Sequence, residues 1–286
     1  MISPQEFGGD WTQQKLQILD EYLTAYCNIF RANERARFFK TVYVDAFAGT
    51  GVIKQRAESN EDETRLLAGS AALAIRHTFD QYLFIEKSAE RVADLENLKR
   101  DSPARERISI CHGDANQKLL AFAESTDWKT HRAVVFLDPY GMQVEWETIR
   151  ILGQTKAIDL SFLFPLGQAV MRLLIKGSEP PPEWGACLDK IFGTSSWKEE
   201  FYITSIQGDF FEGDIIKTQR HADWRAVKNY LVNRLKTAFY SVHPKPAVLR
   251  NSKNVPIYLF CFAAANPVGA KTALKIANHL LKPFSN

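Results

Sequence analysis

The chain has 286 residues, 45% hydrophobic and 24% charged, with a formal net charge of +3. That is enough chain to bury a core without disulfide or metal staples. Cys27, Cys111, Cys187 and Cys261 lie far apart with no C-x-x-C pair, so neither a zinc site nor a disulfide framework is expected. The longest apolar run, residues 257–265, is far short of the roughly 20 residues a membrane helix needs. The first fifteen residues hold no apolar stretch of the signal-peptide kind, so the expectation is a soluble cytoplasmic protein with no membrane contact.

Residues 10–30 predict a helix, with Leu16, Leu19, Leu23 and Tyr26 at three- and four-residue spacing and Asp10 or Thr12 as its cap. A basic link leads to a strand over 39–47, rich in β-branched and aromatic residues. Residues 52–68, rich in Glu and Arg, read as a polar loop, after which Ser70 caps a helix. Strands over 82–85, 107–111, 133–137 and 157–164 then alternate with helices over 89–100, 116–124 and 146–152. Residues 176–214 break this rhythm with Pro180, Pro181 and Pro182 and read as an insertion beside the sheet, at about 176–215. A basic helix over 217–239 follows, with Val227, Leu231 and Leu235 on one stripe. Two strands, 247–251 and 257–264, predict an antiparallel edge, and a helix over 271–281 closes the chain. The alternation predicts an α/β protein built on one doubly wound, mostly parallel sheet in a single domain spanning residues 1–286.

The polar residues of interest all follow strand ends, where open α/β sheets bind ligands. Asp45-Ala46-Phe47-Ala48-Gly49-Thr50-Gly51 follows the first strand. Gly49 and Gly51 allow a tight turn and close approach of backbone to a ligand. The lysine of a phosphate-binding loop is absent, and Asp45 would attract a cationic amine instead. Glu86 ends the next strand, either as an acceptor for a ribose diol or as a surface partner of Lys87. Asp114 follows the third, either as an acceptor for an adenine amino group or as a helix cap. Asp138-Pro139-Tyr140 follows a purely apolar strand. There a carboxylate and a carbonyl can face a planar amine while Tyr140 stacks on its ring, a contact worth about 1–3 kcal/mol per base.

Residues 45–51 resemble the first motif of class I methyltransferases, and Asp138-Pro139-Tyr140 resembles the Asp-Pro-Pro-Tyr motif of amino methyltransferases. Tyr140-Gly141 departs from the latter by setting the aromatic one place early. More closely, the chain resembles the three-Cys-motif partner proteins through FGGDWTQQKLQIL, YVDAFAGTG, LFIEKS, GDAN, RAVVFLDPYGMQVEW, AIDLSFLFPLG, IFGTSSW, VLRNSKN and YLFCFAAANP, which together run over residues 7–267. The resemblance implies a bacterial or phage protein with a Rossmann-like class I methyltransferase fold. It also implies a companion, a radical-S-adenosylmethionine protein carrying a three-cysteine motif that this chain lacks.

Two functions are therefore expected as alternatives. The first is an S-adenosylmethionine-dependent methyltransferase acting on a nucleic acid amine. Asp45, Phe47, Gly49, Gly51, Glu86 and Asp114 would hold the cofactor, Asp138, Pro139 and Tyr140 would present the acceptor, and no metal is needed. The second is a non-catalytic binding partner that uses the same fold as a platform. A nucleotide-dependent oxidoreductase is the weaker third, because Asp45 is misplaced for a pyrophosphate. Charge adds a further expectation. Residues 217–286 hold twelve Lys/Arg against one acidic residue, Asp223, or +11, which leaves −8 for the remainder of a chain at +3. A DNA or RNA backbone held by Arg225, Lys228 and Arg234 accounts for this imbalance. Solvated helix faces, or a docking face for the partner protein, account for it as well.

Overall fold

The structure, a computed structural model, describes residues 10–50, 52–56, 64–209 and 213–285; for 52–56, 64–68, 168, 206–209 and 213–217 it describes the backbone alone. Helix α1 (Asp10–Ala32) leads into β1 (Lys40–Asp45). Strands β2 (Val52–Arg56) and β3 (Thr64–Ala68) precede α2 (Ser70–Ala74). The alternation then runs β4 (Gln81–Glu86), α3 (Ala89–Arg100), β5 (Ile108–His112), α4 (Ala115–Ser125), β6 (His131–Leu137), α5 (Trp146–Gln154), β7 (Ile158–Phe164). A π-helical turn, Leu166–Val170, runs into α6 (Met171–Leu173). Next come α7 (Pro182–Phe192), α8 (Trp197–Phe201), β8 (Tyr202–Asp209), β9 (Gly213–Arg220) and α9 (Trp224–Ala238). The chain closes with β10 (Ser241–Val242), β11 (Ala247–Arg250), β12 (Pro256–Ala264) and α10 (Ala270–Leu281).

The main sheet runs β5-β4-β1-β6-β7-β12-β10, with β11 also on β12. The first five strands are parallel, and β12 is antiparallel to β7, β10 and β11. Alternate residues of each central strand feed two different cores. Val42 and Val44 of β1 and Val135 and Leu137 of β6 join α4, α5 and α9 on one face. Tyr43, Val134 and Phe136 join α1, α2 and α10 on the other. A parallel strand covered on both faces has to be apolar on both, which is why β6 reads as an unbroken Ala-Val-Val-Phe-Leu. The expected doubly wound α/β sheet is therefore present.

Three local expectations are corrected. Residues 52–68 are not simply a loop, because β2 and β3 pair antiparallel from Val52↔Ala68 to Arg56↔Thr64; cross-strand hydrogen bonds outweigh the polar composition there. Ser70 does not cap α2. Gly69 occupies that position without a side-chain bond. The basic helix begins at Trp224 rather than at 217, since residues 217–220 pair with β8 and Asp223 accepts the N–H groups of Arg225 and Ala226 as a true cap. The two strands expected to form an antiparallel edge do so: β12 pairs antiparallel with β7, and β10 and β11 lie outside it. Within residues 176–215, Leu188, Ile191, Phe192, Trp197 and Phe201 are buried in the same core as α5 and α9. The four cysteines are unpaired. Among the described residues no helix is long and apolar enough to cross a membrane.

Candidate ligand site at the sheet's carboxyl end

From β1 the chain proceeds outward to β4 and β5, then returns to the other side of β1 as β6 and β7. Connections diverging from a central strand leave a crevice at its carboxyl end, where doubly wound sheets take their ligands. A cavity of about 540 Å³ lies there, with Phe47, Glu86, Asp114, Tyr140, Met142 and Cys187 in its wall. That volume falls within the range of small-molecule and cofactor sites.

Glu86 is the most firmly held of these side chains. Gly49 adopts φ +62°, a conformation that favours glycine, and its N–H donates to Glu86 Oε2 at 3.0 Å. The N–H groups of Lys87 and Ser88 donate to Oε1, each at 2.9 Å. A carboxylate oxygen accepts about two hydrogen bonds, so Oε2 keeps capacity for a ligand while the β1 loop and the β4 end are tied together.

Asp114 is the N-cap of α4, accepting from the N–H groups of Asn116 and Gln117 through Oδ1, with Oδ2 3.9 Å from Lys87 Nζ. It serves as cap and cavity wall at once. Asn116 was not singled out by sequence. It donates to Gln143 O at 2.8 Å and accepts from Glu145 N at 3.0 Å and Thr148 Oγ1 at 2.9 Å. It thereby fixes the loop after β6 against α4. Arg91, also missed, donates to the Tyr140 hydroxyl at 2.9 Å and lies over that ring, its guanidinium carbon 5.0 Å from the centroid.

The other expected residues are not among those lining the cavity. Asp45 is fully buried and outside the cavity wall, its Oδ1 accepting from Phe47 N at 3.2 Å and its Oδ2 with no hydrogen-bond partner. Burial pushes its carboxyl up from 3.8 to about 7, against the lowering pull of the Ser70 hydroxyl and the Phe47 amide. Asp138 and Pro139 are also outside that wall, and Asp138 Oδ2 is ion-paired with Lys15 Nζ from α1. Lys15 is 7% exposed and also sits 5.0 Å from the Trp11 ring. The signal for Lys15 was present in the sequence: Thr12, Lys15, Leu19, Tyr22 and Tyr26 fall on one stripe of the helix, so a lysine lies on its buried face. Gly51 lies outside the described residues.

Of the expected phosphate contacts, Arg225 and Lys228 lie beside Trp224, 4.6 and 5.5 Å from its ring centre. Arg234 faces the other way, donating from Nε to Phe192 O at 2.9 Å and stacking on Trp146 at 4.5 Å. The helical stripe had left part of Arg234 facing solvent; in the structure its guanidinium closes the packing between α5, α7 and α9.

No protein-family model and no curated protein sequence matches the chain. Solved structures do. A Legionella pneumophila protein described as family DUF519 is 12% identical, over 94% of this chain and 91% of that one, with a TM-score of 0.44. The glycopeptide N-methyltransferase MtfA complexed with sinefungin is 13% identical, over 84% and 85%, with a TM-score of 0.36. A methyltransferase from Geobacter sulfurreducens is 11% identical, over 77% and 91%, with a TM-score of 0.31. At these values the likeness carries no argument about chemistry, and the fold stands on the strand order and pairing of this chain.

Proposed function

We propose that the protein is an S-adenosylmethionine-dependent methyltransferase of the class I kind, acting on a base amine of a nucleic acid. The observation that carries the reading is the cavity at the β1–β4–β5–β6 end, with Glu86 fixed by three backbone amides and one oxygen still able to accept. The donor set fits this cofactor. Glu86 would take the ribose diol, Asp114 the adenine amine and Phe47 would supply an apolar wall. When bound, S-adenosylmethionine supplies an electrophilic methyl group. The chain's own part is positioning, which can contribute several kcal/mol to a displacement. Tyr140 offers a ring face to the acceptor base, while Arg91 covers that ring from α3 and fixes its hydroxyl.

Calorimetry with S-adenosylhomocysteine tests this. The wild-type chain should bind, and Glu86→Gln, which removes the charge but keeps the shape, should weaken binding about tenfold or more. No binding by the wild type, or unchanged affinity in the variant, overturns the assignment. Cys187 gives a second expected result. It is the exposed cysteine and lies in the cavity wall, whereas Cys27 and Cys261 are buried. Its maleimide labelling should slow several-fold when S-adenosylhomocysteine is added. An unchanged rate would mean that the ligand sits elsewhere.

One observation favours the second reading, a methyltransferase-like partner without catalysis. Asp138, the carboxylate best placed by sequence to receive an acceptor amine, is already engaged by Lys15. In that case the chain is a bacterial, cytoplasmic member of the three-Cys-motif partner proteins and its companion is a radical-S-adenosylmethionine protein. Co-purification with that companion, and no methyl incorporation into any nucleic acid, would favour this reading over the first.

A further inference from the structure

The carboxyl end of β7 pairs with the start of β12, Phe164 opposite Leu259, and the end of β11 lies opposite that start, Arg250 opposite Pro256. Arg250 therefore stands on the same rim of the sheet as the candidate site. It is three strands from β6, or about 14 Å at the usual strand spacing. The N-terminus of α9 comes to the same rim, because the Arg250 guanidinium lies 5.6 Å from the Trp224 ring centre. At its other end α9 packs on the far end of α5, where Ala238 O leaves no room for a Cβ on Gly153.

Three cations thus converge on one partly exposed indole: Arg225 at 4.6 Å, Lys228 at 5.5 Å and Arg250 at 5.6 Å. Asp223 pairs with Arg225 at 3.1 Å. No carboxylate among the described residues is within ion-pair reach of Lys228. Each cation gains from the ring face, and Arg250 also donates to Asn254 O at 3.0 Å. The cluster also belongs to the quarter of the chain that carries +11.

We propose that this Trp224-centred rim binds successive phosphates of a single-stranded polynucleotide, whose next bases lie along the rim toward Tyr140. The second half of that statement rests on the methyltransferase reading; phosphate binding does not. Arg234, turned into the α7 contact, takes no part, and Arg250 stands in its place.

Fluorescence anisotropy with a short single-stranded RNA and the full chain tests it. Each phosphate contact on a single strand contributes about −0.7 to the slope of log affinity against log salt, so three contacts predict an affinity loss of about 20-fold between 50 and 200 mM salt. Arg225→Gln with Lys228→Gln should cut that loss to about 3-fold. Both changes are on the helix surface, and S-adenosylhomocysteine binding should not change in the double variant. RNA binding with an undiminished salt slope in the variant, or no RNA binding at low salt, overturns the proposal and leaves the patch to a protein partner. RNA binding by a chain that does not bind S-adenosylhomocysteine would instead remove the cofactor assignment and leave the rim standing.

Discussion

Replacing Lys15 by Met is expected to lower the unfolding free energy by about 3–5 kcal/mol, the usual cost of leaving one partner of a buried ion pair uncompensated. The ammonium is almost out of solvent, and Asp138 opposite it has a side chain only 19% exposed. Without the lysine, Asp138 stays beside the buried Asp45, whose own carboxyl is already pushed up by that neighbour and held down by Lys15. Met keeps most of the aliphatic stem, so lost packing against Trp11 contributes little to the change. The double variant Lys15→Met with Asp138→Asn should recover much of the loss, because no unpaired charge remains and the two effects are strongly coupled. Urea denaturation at pH 8 reads both. A cost below about 1 kcal/mol for the single variant would mean that the pair behaves as a solvated surface bridge.

The sequence was a good guide wherever a pattern repeats. The 3.6-residue spacing of α1, the apolar run of β6 and the alternation of strands and helices follow from burial on one or both faces, and that is encoded locally. The β2–β3 pairing was missed because its hydrogen bonds need a partner strand, whereas the composition reads as that of a loop. The start of α9 was misjudged because residues 217–220, Lys-Thr-Gln-Arg, suit a basic helix face as well as a polar strand. Only the pairing with β8 decides between them.

The candidate site divides the same way. Phe47, Glu86, Asp114 and Tyr140 were legible because each follows a strand end, and the sheet brings strand ends together. Asp45 and Asp138 stand at strand ends too, yet neither lines the cavity. Lys15, more than a hundred residues upstream of Asp138, shows why. A charge brought in from another element captures the carboxylate, and no local pattern announces that contact. Arg234 makes the same point in reverse, since the carbonyl of Phe192 and the ring of Trp146 claim a guanidinium that helical periodicity alone would leave in water.

Asp45 gives the second large effect, which is a dependence on pH. Its folded-state carboxyl titrates at about 7 against 3.8 when unfolded, mainly through burial. Between those values the folded chain binds more protons than the unfolded one, so stability falls as pH rises. The stabilisation is complete below about pH 4 and gone above about pH 7. The steepest slope is about −1.4 kcal/mol per pH unit and the total about 4 kcal/mol. Asp159, half-buried and titrating at about 6, adds a fall of the same sign over a narrower window. Other groups titrate over the same range, so the quantity to measure is the difference between wild type and Asp45→Asn. The amide is neutral at every pH and keeps an acceptor for the Phe47 N–H. Relative to wild type, the variant should therefore gain about 4 kcal/mol on going from pH 4 to pH 8, read as diverging urea midpoints. Parallel curves across that range would show that Asp45 is ionised in the fold and that a cation reaches it. Lys15 supplies the internal check. Since it holds the Asp45 carboxyl down, repeating the comparison in the Lys15→Met background should move the end of the divergence to higher pH.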